Sequence, residues 1–184
     1  MNAGTLLRLS TDEFDKSPYT IKSSLGIRVF DVGAKWMFLR LHDLRPDEQM
    51  KFDDHVAYNW YGYMKYGVCL FAFSSSAVLL FLYNIWLLPL TVLLFYLVEV
   101  HFLFLFPLLI DKVKKPLVTS IKMVYSIGLF YTVYTVFRIG LFMMIGLLKY
   151  KNPFRNWYIG CLAIVIWYQK EVRGTTRLGH EEHI

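Results

Sequence analysis

The sequence has very few charged residues along two long stretches. Residues 67–110 carry a single formal charge, on Glu99, and residues 123–148 carry only Arg138. Hydrophobic residues make up 56% of the 184 residues and aromatic residues 18%, above the usual composition of a soluble domain. Each stretch is long enough to cross about 30 Å of hydrocarbon at about 1.5 Å per residue. The sequence therefore predicts an all-α integral membrane protein.

Motifs for catalysis and cofactor binding are also missing. The sequence has no Ser-His-Asp order, no glycine-rich phosphate loop, no CxxC pair and no zinc-ligand spacing. Its two cysteines, Cys69 and Cys161, lie in apolar surroundings typical of small buried residues, and they imply no disulfide. We expect no cofactor, no metal site and no catalytic activity of the chain's own. The net charge of +6 indicates orientation and lipid contact rather than nucleic-acid binding.

Polar composition divides the chain into three expected regions. Residues 1–45 form a polar extramembrane arm that includes an amphipathic segment, about 27–41, at the membrane surface. Residues 46–170 form a transmembrane helical bundle, and residues 171–184 form a polar tail. Pro46 and the acidic residues after it predict the start of the first membrane helix, because proline and acids favour a helix N-terminus.

The apolar runs predict about four spans within the bundle. Three of them cover about residues 67–83, 87–110 and 123–148. The fourth, about 157–168, is short for a full crossing. Three spans plus an interfacial helix is therefore the alternative.

The distribution of basic residues predicts the orientation in the membrane. Nine Lys and Arg residues precede the first span and none lies in the first turn. The positive-inside rule therefore places the N-terminus on the cytoplasmic or matrix side, although a third connection with Lys149, Lys151 and Arg155 then falls on the other side. Four lysines of the second loop lie at the inner surface, where they either bind an anionic lipid such as cardiolipin or only set the topology: Lys112, Lys114, Lys115 and Lys122.

The two charges inside the apolar stretches are expected to form a buried ion pair. Glu99 lies 12 residues from Asp111, and Arg138 lies 16 residues from Lys122, so their depths differ by roughly 6 Å. An arginine side chain spans that difference. A proton or ion relay through Glu99 and a contact of either residue with another subunit remain alternatives.

His101 is expected to face away from Glu99. Two residues along a helix correspond to about 200°, which places the imidazole on the opposite face. We expect it to form one interhelical hydrogen bond. Its partner is either a serine of Ser74–Ser76 or a group on a foreign helix.

These features favour a non-catalytic accessory subunit of a larger membrane complex. We expect its partners to be other membrane subunits of a hetero-oligomer, and no nucleic acid. A respiratory or ATP synthase assembly is the first expectation, because such subunits are common in energy-transducing membranes; the mitochondrial inner membrane is favoured over a bacterial one. The alternative is a small membrane enzyme or a proton or ion transporter that uses Glu99, Arg138 and His101.

Overall fold

A computed structural model describes residues 1–18, 27–149 and 151–172, which form helices and connecting turns without any strand. The prediction of an all-helical chain is confirmed for these residues. Residues 19–26 of the predicted polar arm and most of the C-terminal tail lie outside the described residues. The described residues form eight α-helices: α1 Ala3–Lys16, α2 Val29–Asp43, α3 Tyr58–Tyr83, α4 Leu90–Glu99, α5 Leu105–Ile110, α6 Pro116–Ile127, α7 Leu129–Leu147 and α8 Arg155–Trp167.

The helices group into two compact units. Unit 1 combines Met1–Asp53 with the chain from Arg138 onward, and unit 2 is Asp54–Phe137. Unit 1 thus contains α1, α2, α8 and the second half of α7. Unit 2 contains α3 to α6 and the first half of α7.

Unit 1 is built around α8. Eight of the 13 residues of this helix are buried, among them Ile159, Leu162 and Val165 with no exposed surface, as expected for a helix that is apolar on all sides. The N-terminal helix α1 packs along α8. The buried residues of α1 recur at helical spacing on one face: Ala3, Leu6, Ser10 and Phe14.

The N-terminal 16 residues of the predicted polar arm therefore contain an amphipathic helix. The side chain of Asn2 caps the helix by accepting a hydrogen bond from the Thr5 N–H at 2.9 Å. Charged residues of α1 that are exposed include Arg8, Asp12 and Asp15. Residues 29–43 are helical as well, and Gly33 does not interrupt α2.

The predicted helix start at Pro46 is wrong, because residues 44–57 are not helical and α3 begins at Tyr58. Tertiary contacts of Arg45 stabilise a turn there instead. Its guanidinium is buried and donates a hydrogen bond to the side-chain oxygen of Gln169 at 2.5 Å. The guanidinium also lies over the ring of Tyr168, 5.9 Å from the ring centroid. A local helix signal is thus overridden by contacts with the C-terminal part of unit 1.

Three helical segments are long and apolar enough to cross a membrane. We name them the first, second and third candidate spans: Tyr58–Tyr83, Ile85–Ile110 and Leu129–Leu147. The segment proposed as a fourth span instead forms α8, which is 13 residues long and so about 20 Å. The described residues support three candidate spans, and a fourth stays a prediction.

The third apolar stretch is divided at Gly128. This glycine has φ +105° and ψ 115°, a conformation that other residues rarely adopt. It ends α6 and precedes α7, so the stretch expected as one helix from about residue 123 is two helices.

Candidate functional site

The candidate site lies in unit 2, where α3 and α4 form an antiparallel hairpin. The ammonium of Lys65 on α3 lies 3.3 Å from a carboxylate oxygen of Glu99, the last residue of α4. Both side chains are largely buried, with 10% and 17% of their surface exposed. The pair joins the two helices of the hairpin across an otherwise apolar contact.

The surroundings of Lys65 are aromatic and apolar. The ring of Tyr66 lies 5.2 Å from the ammonium, within the range of a cation–π contact. Cys69, one helical turn after Lys65, has no exposed surface. The pair is thus shielded from water on the α3 side. The attraction between the two charges offsets the cost of removing each of them from water.

In unit 2 the partner of Glu99 is therefore Lys65, which the depth comparison of Glu99 with Arg138 leaves out. A first span that begins at residue 67 excludes Lys65, which then counts among the nine basic residues that precede the span. Arg138 lies at the middle of α7 and is exposed. The proposed Glu99–Arg138 pair stays a prediction.

The second candidate span is not a continuous α-helix. It consists of a short 3-10 turn at Ile85–Leu87, then α4, a second 3-10 turn at Val100–Phe102, and α5. The break before α5 is explained by Pro107, which has no N–H to donate to the carbonyl four residues earlier and crowds that carbonyl. The break thus follows directly after Glu99.

Ser120 of α6 satisfies the backbone groups at this break. Its hydroxyl donates to the carbonyl of His101 at 2.8 Å and accepts from the N–H of Phe104 at 3.3 Å. Ser120 has no exposed surface. One side chain therefore replaces the helical hydrogen bonding that the break removes, which an apolar environment requires.

The His101 ring also faces α6. Its Nε2 lies 3.4 Å from the Tyr125 hydroxyl, and the two rings are 5.7 Å apart. The serines of α3 considered as alternatives include Ser76, whose hydroxyl donates to the Phe73 carbonyl of its own helix. His101 thus has an interhelical neighbour within the chain, and contact with a foreign helix stays a prediction.

The four lysines considered for lipid binding are all exposed. Three of them lie in the turn between α5 and α6, where Lys112 adopts a positive φ of 55°. Lys122 lies in the middle of α6, whose first turn contains Pro116. Lipid binding by them stays a prediction: Lys112, Lys114, Lys115 and Lys122.

Comparison of the chain with protein-family models, with curated proteins and with solved structures finds no match.

Proposed function

We propose that the chain is an integral membrane subunit that packs against other membrane proteins in a hetero-oligomeric complex. Its own contribution is structural: it holds a helical hairpin and a broken second span in fixed positions for a neighbour to contact. The three candidate spans support the membrane location, because each is long and apolar enough for a bilayer.

The observation that carries the proposal is the presence of polar residues on outward faces of the candidate spans. Ser74 is exposed near the middle of α3, and Arg138 is exposed at the middle of α7. At such depths an exposed serine or arginine contacts a protein surface more favourably than it contacts lipid chains. An additional subunit fits these faces better than lipid does.

Exposed aromatic residues support the same conclusion. Aromatic side chains and arginine are enriched in protein interfaces, because they supply large contact areas with a polar end. On α7 the aromatic residues with exposed surface share the helix with Arg138: Phe130, Tyr131, Tyr134 and Phe137.

The buried polar contacts of unit 2 fit a structural role. The Lys65–Glu99 pair joins α3 to α4, and Ser120 joins α6 to the break in the second span. Each contact fixes the position of one helix against another without leaving a charged group open to a substrate. The remaining part of the proposal, a respiratory or ATP synthase assembly, rests on how common such subunits are in energy-transducing membranes.

Native purification tests the proposal. The full-length chain, tagged and expressed from its own locus, is extracted in mild detergent and analysed by size exclusion and mass spectrometry. We expect it to elute with other membrane proteins at fixed stoichiometry, and the identity of those proteins tests the assignment to an energy-transducing complex. A chain that elutes alone, folded and monodisperse, would contradict the proposal.

A proton or ion carrier is the second candidate function, and the position of the ion pair favours it. Breaks in membrane helices often accompany ion sites, and Glu99 immediately precedes the break. The test reconstitutes the purified chain into vesicles loaded with a pH-sensitive dye. Glu99→Gln that abolishes proton movement while leaving the fold intact would favour a carrier, and absence of movement in the unmodified chain would exclude proton transport by it.

A further inference from the structure

The helix α8 lies between two neighbouring helices of unit 1. On one side, the side-chain amide of Asn156 donates a hydrogen bond to the carbonyl of Phe142 in α7 at 3.1 Å. On the other side, the ring of Tyr158 stacks on Phe14 of α1, with the ring centroids 6.4 Å apart. Two residues along a helix correspond to about 200°, so positions 156 and 158 face in opposite directions. The second half of α7 and the helix α1 therefore pack on opposite faces of α8.

Two glycines bring α7 and α8 into close contact. A side-chain carbon added at Gly146 of α7 would collide with Asn156, and one added at Gly160 of α8 would collide with Met143. From Asn156 to Gly160 the chain goes forward along α8, whereas from Gly146 to Met143 it goes back along α7. The two helices thus run antiparallel, and the end of α7 lies beside the start of α8.

The helix α1 also runs antiparallel to α8. At one end of the pair, the carboxylate of Asp15 binds Arg155, the first residue of α8, at 2.7 Å. At the other end, Met1 contacts the carboxylate of Glu171, beyond the last residue of α8. Arg8 is midway along α1 and so lies beside the middle of α8.

The outer face of α1 is charged. A transmembrane α8 would carry Arg8 and Asp12 to the depth of its apolar middle, where both exposed side chains would face hydrocarbon. Charged groups in that position are strongly unfavourable. The apolar composition of α8 is instead explained by burial within the protein, because Ile159, Leu162 and Val165 have no exposed surface. The exposed residues of α1 recur at helical spacing: Gly4, Arg8, Asp12, Asp15 and Lys16.

The outer face of the second half of α7 is apolar. Four residues at its end follow the i, i+3, i+4, i+7 pattern of one helix face and are between 50% and 86% exposed; we name them the α7 stripe: Leu141, Met144, Ile145 and Leu148. The stripe lies about 200° around the helix from Met143 and Gly146, which face α8. Unit 1 therefore has an apolar side on α7 and a charged side on α1, with α8 between them.

Basic and aromatic residues surround the end of the α7 stripe. Lys149 and Lys151 follow it in the chain and are exposed, as are Phe154 and Trp157 next to the start of α8. Lysines and aromatic rings beside an apolar stripe are typical of helices at the boundary between acyl chains and anionic headgroups. The surface of an anionic bilayer therefore matches the stripe in polarity and its surroundings in charge.

We propose that unit 1 lies at the membrane surface, with the α7 stripe in the boundary between headgroups and acyl chains of an anionic leaflet and with α1 in water. The stripe is then buried about 5–10 Å below the headgroups, and α8 is the core of a surface body rather than a span. The second half of α7 lies in this boundary, although its hydropathy is that of a span. The proposal rests on the membrane location that the proposed function includes, and not on complex membership.

Fluorescence quenching in nanodiscs tests the proposal. Met144→Cys in the α7 stripe and its control Asp12→Cys on the outer face of α1 are introduced separately into a full-length chain that carries Cys69→Ala and Cys161→Ala. Each thiol is labelled with an environment-sensitive dye, and the chain is incorporated into nanodiscs that contain phosphatidylglycerol. We expect iodide in the water to quench most of the fluorescence at position 12 and little at position 144. A nitroxide attached near the lipid headgroup should give the reverse.

Three results would overturn the proposal. Quenching of both positions by a nitroxide at the end of the acyl chains, without quenching by iodide, would place α1 and α8 within the hydrocarbon. Quenching of position 144 by iodide, or by neither reagent, would show that water or protein covers the α7 stripe. In these cases the chain is still in the membrane and the proposed function stands. A chain that does not enter nanodiscs at all would contradict the membrane location and the proposal with it.

Chemical labelling of the unmodified chain gives a readout without substitutions. In the same nanodiscs, a water-soluble carbodiimide should modify Asp12, and a phospholipid with a photoreactive group near its headgroup should label the peptide that contains residues 141–148. Mass spectrometry of the digested chain measures both. Protection of Asp12 from the carbodiimide together with lipid labelling of α1 would contradict the proposal.

Discussion

Substitutions of Lys65 and Glu99 test whether the two residues are energetically coupled. At 3.3 Å between the ammonium and the carboxylate, two unit charges attract each other by about 5 kcal/mol at an effective dielectric constant of about 20. Most of this attraction offsets the cost of taking both groups out of water. Removal of one partner leaves the other charge buried and uncompensated, which costs roughly 3–5 kcal/mol.

We expect Lys65→Met and Glu99→Gln each to destabilise the purified chain, and the double variant to recover part of the loss. Thermal unfolding in detergent, followed by circular dichroism, should show midpoint decreases on the order of 10 °C for the single variants, because 1 kcal/mol corresponds to about 2–4 °C for a chain of this size. The coupling free energy from the double-mutant cycle should be about 2 kcal/mol.

The same cycle with Arg138→Leu in place of Lys65→Met is the matched control. It tests the pairing of Glu99 with Arg138 that the depth comparison predicts from the sequence. If the Lys65 and Glu99 effects add within about 0.5 kcal/mol while the Glu99 and Arg138 effects are coupled, the assignment of Lys65 as the partner of Glu99 is wrong.

Three further predictions concern the remaining polar groups of unit 2. Ser120→Ala should destabilise the chain by about 1–3 kcal/mol in thermal unfolding, because it removes the hydrogen bonds of the Ser120 hydroxyl to two backbone groups at the break. Ser126→Ala, whose hydroxyl is exposed and donates within its own helix, should have little effect. Replacement of the three loop lysines, Lys112, Lys114 and Lys115, by glutamine should decrease the amount of anionic lipid that co-purifies, as measured by mass spectrometry. An unchanged lipid content would leave these lysines only a topological role. A photo-crosslinker at position 101 in the native assembly should react with another protein; crosslinks confined to the Tyr125 region of the chain would restrict His101 to internal packing.

The apolar runs predicted the helical class and the C-terminal ends of the candidate spans. The first candidate span ends at Tyr83 and the second at Ile110, as predicted, but the first begins nine residues before the predicted start at residue 67 and the third begins six residues after the predicted start at residue 123. Hydropathy identifies such segments because a bilayer requires about 20 apolar residues whatever their neighbours are. Helix ends outside these runs depend on tertiary contacts, and the predicted start at Pro46 was wrong for that reason.

The sequence also places Lys65 at a depth similar to that of Glu99 when the first span is drawn to include Lys65. Counted from the first turn, Lys65 lies 18 residues before Tyr83 and Glu99 lies 14 residues after Ile85, a depth difference of roughly 6 Å. The depth difference between Glu99 and Arg138 is the same, so depth alone does not decide which of the two basic residues pairs with Glu99. The choice requires the packing of α3 against α4.

The division of the chain into two units was not accessible from composition. Residues 1–16 have few apolar side chains, and nothing local shows that four of their positions cover α8, which lies about 140 residues later. Pro107 and Gly128, in contrast, were visible as helix breakers. They indicate where the second span and the third apolar stretch are interrupted, but not which side chain, such as Ser120, compensates for the break.

Native purification of the full-length chain, followed by identification of the proteins that elute with it, tests its assignment as a subunit most directly. We expect a complex in which this chain is present at fixed stoichiometry with other membrane proteins. We also expect the chain expressed alone to be polydisperse in the same detergent. A folded, monodisperse chain that elutes without protein partners would contradict its assignment as a subunit.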